Sequence, residues 1–593
     1  MKKIKRELFL KLTALAALAP LGNRLLAGVQ PVNIPEEPGL ADDLMKRLSI
    51  ANDQQVEGLL ASLSPDKFNF SRKAGFDFAV LSASFCYAGS RYYQSQAIVP
   101  KLEILMQGLQ NAQAEDGTVN IGNLESPPDT AFLLEPLTAA AGLLKKNNSN
   151  ELSHINLALK KFIQKAGDGL TTGGVHTPNH RWVVCGALAR INAIYPNRKY
   201  INRIEEWLGE GIFNDSDGHY PERSRIYSGV ENNSLITMGQ LLNKPPLFEP
   251  VRKNLDSTYY YMEPDGDLVT TDSRRQDQYG SKTIISYYLQ YRFLAIRDGN
   301  RSFAGIARLI EQMKGFDTEI LNRSLFYFLE NPMLQQELPA DVAPSVNYNK
   351  FFTTSQLLRI RRGDSSATLF GGVDWPLIIA SGRSNSPNFF ACRKGKAILK
   401  YMRLSSGFFS MGYFYSEGIE KKADKYVLYK RLEVPYYQPL PAGKRNKKGD
   451  YKLSPSIDGR FWNKMDFGDR PVSNVKTFDT TIIFTDAGRS NELTFQVSGL
   501  PGVPVTIELC FLEGGKLSGV SGEENGNSFL EKGMGKYELD GDSIEFGPGA
   551  FAHRNIDNLE GERYSTHFGS LRTKGMHVYI TGVTPFNHTI AFS

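Results

Sequence analysis

The chain has 593 residues, of which 41% are hydrophobic and 22% are charged. One hydrophobic core rarely grows to this size, so we expect two large domains. The composition excludes a disordered or collagen-like protein. The formal net charge is +6, from 69 Lys and Arg against 63 Asp and Glu.

Most of that charge lies in residues 1–28. This segment holds six Lys or Arg and one Glu, a net charge of +5, so the remaining residues carry +1. Its basic start, its apolar stretch from Leu8 to Leu21 and the small pair Ala27 and Gly28 are typical of a signal peptide. We therefore expect cleavage of residues 1–28 and a periplasmic or secreted protein. No later segment offers about 20 uninterrupted apolar residues, so we expect no stable membrane insertion.

Residues 35–335 show the periodicity of α-helices. Apolar residues recur at three-to-four spacing in five segments: 131–146, 152–166, 181–194, 200–209 and 282–297. Loops containing Gly117, Gly174, Gly218 and Gly266 separate them, and the spacings of 57, 44 and 48 residues fit one helical hairpin per interval. This quasi-repeat predicts an incomplete α/α toroid, with its loops lining one cleft.

Residues 350–593 change to short alternating runs that are rich in β-branched and aromatic residues, as in 480–485 and 505–512. They predict an antiparallel β-sandwich, joined to the helical part by a linker at 332–347. The fold class is then multidomain α + β. The four cysteines show no CxxC spacing, and no convincing ligand cluster stands out, so we expect no metal and no cofactor.

The densest polar constellation lies in the helical part. It opens with His176 and the run Asn179-His180-Arg181-Trp182, and it continues about 40 residues later from Asp217 to Tyr227. Three candidate catalytic residues lie in it: Asn179, His180 and Tyr227. The candidate substrate-binding residues carry charge or an aromatic ring on the same and the following loops: His176, Arg181, His219, Tyr220, Glu222, Arg223, Arg225, Arg274 and Arg275.

An Asn-His pair that opens a helix, followed by Asp-Gly-x-x-x-Glu-x-Ser-x-x-Tyr, resembles the heparinase II/III-like and alginate-lyase-like polysaccharide lyases. The matching residues are Asn179, His180, Asp217, Gly218, Glu222, Ser224 and Tyr227. The Asn-His-Arg-Trp run is similar to lyases that release terminal rhamnose from glucuronate. The resemblance implies a toroid followed by a β-sandwich, and β-elimination at a 4-linked uronic acid, with glucuronate favoured. The partner would be a uronic-acid-containing glycan.

The resemblance also implies residue roles. Asn179 and His180 would bind the substrate carboxylate, and Tyr227 would be the acid, and also the base where the proton and leaving oxygen share one face. Such chemistry needs donors that neutralise the carboxylate, because the C5 proton is barely acidic beside a charged group. A tyrosine ordinarily has a pKa of about 10, so a base role needs nearby positive charge. For substrates with the two groups on opposite faces, His176 or His219 could supply the second group.

Each of the three candidate catalytic residues also has a plain structural role open to it. Taken singly, Asn179 could be a helix cap, His180 a surface histidine and Tyr227 a packed ring. The protein could be an α/α-toroid glycoside hydrolase with paired carboxylates, for which the available acids are Asp116, Asp129, Asp217, Glu222 and Asp265. It could also be a non-catalytic glycan-binding protein. Nucleic-acid binding is disfavoured, because no basic stripe remains once residues 1–28 are removed.

Overall fold

The computed structural model describes residues 42–593 except 276, 278–281, 373–377, 380–381, 384–385, 460, 489, 523–526 and 562–573. The expected signal peptide at 1–28 lies outside the described residues. Within them, a helical half is followed by a half made of β-strands, in the order that the periodicity predicts. Among the described residues, no helix is long and apolar enough to cross a membrane.

Twelve α-helices lie in the described residues. They are α1 Asp42–Ser62, α2 Lys73–Cys86, α3 Val99–Ala112, α4 Pro127–Asn147, α5 Ser153–Thr172, α6 Pro178–Ile194, α7 Arg198–Gly209, α8 Arg225–Leu241, α9 Phe248–Tyr260, α10 Tyr288–Asp298, α11 Arg301–Glu311 and α12 Asn322–Glu330. Local signals set several of their starts: proline begins α4 and α6, and a serine hydroxyl caps α4 and α8.

The helices pack in two rows. The even-numbered helices α2, α4, α6 and α8 contact one another in chain order, while α3, α5 and α7 contact one another in a second row. Helix α12 packs against α1, α2 and α4, so the end of the helical half returns to its beginning. The helical half has one apolar core, in which Leu133, Leu188 and Leu294 are fully buried.

Three of the four predicted loops share one turn geometry. In Ala114–Thr118, Asp215–His219 and Glu263–Asp267 the first N–H donates to the last carbonyl, at 2.8, 2.9 and 2.7 Å. The glycine of each turn has a positive φ, of 94°, 90° and 92°, which a side chain rarely adopts. Each turn joins an odd-numbered helix to the next even-numbered one. The predicted quasi-repeat is therefore visible in the backbone, although Gly174 lacks the positive φ.

The β half follows. The described strands, including a short pair inside the helical half, are β1 Val119–Asn120, β2 Glu125–Ser126, β3 Asn347–Phe352, β4 Leu357–Arg362, β5 Ser365–Phe370, β6 Ile378–Ile379, β7 Gly382–Arg383, β8 Phe390–Lys394, β9 Ala397–Ser406, β10 Gly412–Tyr413, β11 Ile419–Lys422, β12 Lys425–Tyr437, β13 Ser454–Pro455, β14 Trp462–Asn463, β15 Val472–Asp486, β16 Asn491–Gly499, β17 Pro504–Phe511, β18 Lys516–Ser518, β19 Ser521–Gly522, β20 Ser528–Phe529, β21 Gly535–Leu539, β22 Asp542–Gly547, β23 Met576–Val583 and β24 Phe586–Phe592.

Two sheets contain most of these strands. One has the order β19-β20-β23-β17-β9-β8-β5-β4-β3, with β10 beside β9, and the other has the order β11-β12-β15-β16-β24-β22-β21-β18. Neighbouring strands are antiparallel except β20 and β23. The two sheets share one apolar core, in which the Phe390 ring lies 5.8 Å from Phe484 and 5.4 Å from Phe592.

The first strands of the β half pack directly on the helical half. Phe352 belongs to the buried core of the helices. The Asp217 carboxylate, in the second Asp-Gly turn, accepts the backbone N–H groups of Thr353, Thr354 and Ser355 at 3.1, 2.7 and 3.0 Å. Hydrogen bonds to a charged acceptor are stronger than neutral ones. The loop before α8 and the first turn of the β half are thus bonded together.

Candidate active site

The predicted catalytic residues meet where α6 and α8 begin. Asn179 and His180 are the second and third residues of α6, directly after Pro178. Tyr227 is the third residue of α8, where the Ser224 hydroxyl caps the helix by accepting the N–H of Tyr227 at 3.1 Å. The N-terminal ends of both helices, which carry partial positive charge, lie here and favour a bound anion. We call Asn179, His180, Glu222, Tyr227 and Arg275 the α6–α8 site.

Glu222 joins the parts of this site. Its Oε2 accepts a 2.6 Å hydrogen bond from Asn179 Nδ2, and its Oε1 bonds the Arg275 guanidinium. The side chains of Glu222 and Arg275 are only 7% and 9% exposed, so solvent screens the pair little. The chain of contacts from Asn179 through Glu222 fixes Arg275. Asn179 Oδ1 is buried and has no hydrogen-bond partner among the described residues.

Arg275 lies over the catalytic candidate. Its guanidinium carbon is 4.2 Å from the centroid of the Tyr227 ring, within the range of a cation–π contact. Tyr227 is half-buried, so part of its side chain still faces solvent. The site therefore places a positive charge on the face of a half-buried tyrosine ring.

His180 is neutral in this setting. Burial lowers its pKa to about 4, and the positive fields of His176, Arg275 and Arg72 add to that effect. The rings of His176 and His180 meet edge to face, with centroids 4.7 Å apart, and His176 itself is exposed. Nδ1 of His180 has no hydrogen-bond partner in the part of the chain that the structure describes. A neutral imidazole can donate through one nitrogen and accept through the other.

Arg72 and Asp129 also belong to this region, although no pattern in the sequence singles out Arg72. The Arg72 guanidinium forms an ion pair with Asp129, which also accepts 2.8 Å from Asn123 Nδ2. Its guanidinium carbon lies 4.5 Å from the ring centroid of Phe132, which in turn packs edge to face on His180. Arg72 precedes α2 by one residue, far from the other site residues and in no motif. Of the two residues, only Asp129 was considered from the sequence, as one of the acids available to a hydrolase.

Three residues predicted to bind substrate lie in the interior instead. Arg225 forms a 2.6 Å ion pair with Asp272, and His219 Nε2 lies 3.0 Å from the Tyr261 hydroxyl. The Tyr220 hydroxyl donates a 2.8 Å hydrogen bond to an asparagine side-chain oxygen. His219, Tyr220 and Arg225 are each at most 2% exposed. Burial holds the pKa of His219 well below its usual range. This placement corrects the expected substrate contacts: with so little exposed surface, these side chains stabilise the loop.

The remaining predicted residues flank the site. Arg181 pairs with Glu210 at 2.9 Å and lies over the Trp182 ring at 4.8 Å. Arg274 donates 2.6 Å to the Pro221 carbonyl, and its backbone N–H donates to the Glu222 carbonyl, so it supports the Glu222 loop. Arg223 is largely buried, with a positive φ of 47°. Arg181 and Arg274 thus hold the chain segments that surround the α6–α8 site.

The acids that a hydrolase would need are already occupied. Asp116 accepts the N–H of its own turn at 2.9 Å, and Asp265 pairs with Arg393 at 2.6 Å. Asp129, Asp217 and Glu222 have the partners given above. Among the described contacts, none of these five carboxylates faces another across the site, as paired catalytic carboxylates do. Across the described part of the chain, no group of three or more His, Cys, Asp or Glu side chains is placed so that it could hold a metal ion.

The chain combines a helical half with a largely antiparallel β half, and Asn179, His180 and Tyr227 lie at the start of two neighbouring helices. Crystal structures of three lyases superpose on this chain. Heparinase III matches with a TM-score of 0.54 and 13% identity over 87% of this chain and 75% of its own. Chondroitin AC lyase from Streptomyces coelicolor A3, solved with chondroitin sulphate, matches with a TM-score of 0.54 and 11% identity over 96% and 80%.

The third structure, a Paenibacillus xanthan lyase, matches with a TM-score of 0.51 and 10% identity over 93% of this chain and 57% of its own. The sequence itself matches no family model and no curated protein. At these identities the likeness establishes the fold. The chain thus shares the fold of these three lyases.

Proposed function

We propose that this protein is a lyase that cleaves a 4-linked uronic acid by β-elimination, with glucuronate as the favoured sugar. The observation that carries the proposal is the meeting of Tyr227, His180 and Arg275 at the positive ends of α6 and α8. A sugar carboxylate at this position would face two helix ends, a neutral imidazole and a guanidinium.

In the proposed reaction, Tyr227 removes the C5 proton and the electron pair of that C–H bond forms the C4–C5 double bond. The bond from C4 to the glycosidic oxygen breaks, and the departing oxygen takes a proton from the Tyr227 phenol. The products are an unsaturated uronate and a free hydroxyl. One phenol suffices where the proton and the leaving oxygen share a face, as in glucuronate, which is why we favour that sugar.

We infer supporting roles for the neighbouring residues. Arg275, held by Glu222, lies over the Tyr227 ring, and Arg72 is near enough to interact electrostatically with the same tyrosine. His180 donates to the substrate carboxylate. Asn179 acts as a positioning residue, because its amide already donates to Glu222. This differs from the carboxylate contact that the resemblance implies for Asn179.

We also infer the finer architecture. Two rows of alternating helices, closed by α12, fit an incomplete α/α toroid, and two sheets around one core fit a β-sandwich. We also propose export, because residues 1–28 have the pattern of a signal peptide. The mass of the protein purified from its native cells tests it: we expect a chain shortened by those residues, and a full-length chain would contradict export.

The test of the activity is absorbance in the ultraviolet, which the conjugated double bond of the product gives. Glycans with 4-linked glucuronate, iduronate or galacturonate serve as the panel. We expect absorbance to rise on a glucuronate glycan, and Tyr227→Phe to lower kcat by about 100- to 10,000-fold, the usual contribution of a general acid–base group. Tyr93→Phe, at an exposed tyrosine, is the matched control. New reducing ends without absorbance would establish a hydrolase and refute the proposal.

A further inference from the structure

A long hairpin carries an insertion that stands apart from both sheets. Strands β12 and β15 are 13 and 15 residues long, and between them lie residues 438–471, which we call the arm. The arm contains the short pair β13–β14, and the Phe467 ring lies 4.8 Å from Tyr437 at its base. Apart from buried Leu440 and Phe467, its large apolar side chains lack a core of their own.

The arm and its base expose apolar side chains. Of the 20 large hydrophobic residues that the described residues expose, eight lie between 436 and 475. In the arm itself Trp462 is 66% exposed, Ile457 64%, Leu453 58% and Phe461 47%. Soluble proteins rarely expose so many large apolar groups together without a binding role.

The arm also concentrates positive charge. It contains eight Lys or Arg and four Asp, a net charge of +4. Since the whole chain carries +6 and residues 1–28 carry +5, the rest of the protein carries −3. Lys444 and Lys464 pair with Asp469 and Asp450.

Three further lysines of the arm, Lys447, Lys448 and Lys452, are exposed. None of their ammonium groups makes an ion pair or hydrogen bond with another described residue. Unpaired cations therefore stand on the same short segment as the exposed aromatic rings.

We propose that the arm is a second binding surface, distinct from the α6–α8 site, for an acidic polysaccharide chain that carries uronate groups. The inference rests on the proposed function for the choice of a uronate polymer. The faces of Trp462 and Phe461 stack on sugar rings, while Lys447, Lys448 and Lys452 pair with carboxylates. A neutral glycan or a second copy of this chain would leave these lysines unused, and charge complementarity selects the polyanion.

Electrophoresis through gels containing hyaluronan or neutral dextran tests the inference, using the Tyr227→Phe protein so that the polymer stays intact. The arm variants are the triple Lys447→Ala/Lys448→Ala/Lys452→Ala and, separately, Trp462→Ala. The matched control is Lys67→Ala/Lys146→Ala/Lys161→Ala, at three exposed lysines of the helical half. We expect hyaluronan to slow the parent and the control, and the arm variants to bind at least tenfold more weakly. Added salt should weaken binding, and dextran should have no effect.

When the arm substitutions are made in the protein that keeps Tyr227, the variants should cleave a short oligosaccharide as fast as the unsubstituted protein. They should be slower only on the polymer. Equal retardation of parent and arm variants, retardation by dextran as strong as by hyaluronan, or no retardation would overturn the inference. So would a dimer in sedimentation that Trp462→Ala dissociates while retardation stays, because the surface would then join two copies. Arm-dependent retardation in a protein that never yields the unsaturated product would refute the proposed function alone.

Discussion

Replacing Glu222 by Gln tests whether the Asn179–Glu222–Arg275 chain holds the site together. Both charged side chains are less than a tenth exposed, so the variant removes the carboxylate that pairs with the buried Arg275 guanidinium, while the field of Asp277 still acts on it. Two unit charges about 4 Å apart attract by about 4 kcal/mol at an effective dielectric constant of about 20. Removing one partner of a buried pair costs about 3–5 kcal/mol in measured cases. We therefore expect Glu222→Gln to lower the free energy of unfolding by about 4 kcal/mol.

Urea unfolding followed by tryptophan fluorescence measures this loss, since Trp182 and Trp207 lie in helices of the affected half. The control is Asp317→Asn, which breaks the exposed pair with Arg47 and should cost under about 1 kcal/mol. Lyase activity should fall as well, because Arg275 loses the group that fixes it over the tyrosine. A loss of stability no larger than that of the control, with activity intact, would refute the reasoning.

Three further predictions concern protonation and backbone geometry. The pKa of His180 is about 4 in the folded protein and about 6.5 when unfolded, so the unfolded chain binds the proton first as the pH falls. The stability of the fold should therefore decrease from pH 6.5 to 4. Urea midpoints measure this decrease, which should be less steep in His180→Gln. Burial alone would lower the pKa of His577, but hydrogen bonds with Cys510 and Glu508 outweigh it and raise the pKa to about 9. The stabilisation is therefore complete below pH 6.5 and is lost by pH 9; a pH profile that His577→Gln leaves unchanged would contradict this. Gly218→Ala should lower the melting temperature in thermal scans, because φ is 90° and the new Cβ would lie 2.4 Å from a backbone oxygen, whereas Gly174→Ala meets nothing within 4 Å and should not.

The sequence predicted the meeting of His180 and Tyr227 for a physical reason. Each follows a loop that leads into an even-numbered helix, and the repeat stacks those helices side by side. Residues at equivalent positions of successive repeats therefore come together. The spacing of loops and helices carries this information without any knowledge of side-chain contacts.

The sequence could not predict which polar side chains are buried, nor which residues they contact. His219 and Arg225 lie in a loop rich in polar residues, which favours an exposed position, yet both are buried. The Tyr261 hydroxyl lies within hydrogen-bonding distance of His219, and the Asp272 carboxylate accepts a hydrogen bond from Arg225; both partners come from later in the chain. Arg72 was missed for the opposite reason: it precedes an unremarkable helix, and only the closure of the helical rows brings it to Phe132 and His180.

The Asp217 carboxylate has a consequence for any shortened form of the protein. It receives three backbone N–H groups from residues 353–355, while Glu263, after α9, bonds Arg359 of β4 at 2.9 Å. Separating the two halves would remove the hydrogen-bond partners of both carboxylates. It would also expose the apolar surface that Phe352 now covers. The loop that leads to Tyr227 would lose its anchor. The β half thus supports the proposed active site, and a helical half expressed alone should be less stable and should show less of the proposed lyase activity.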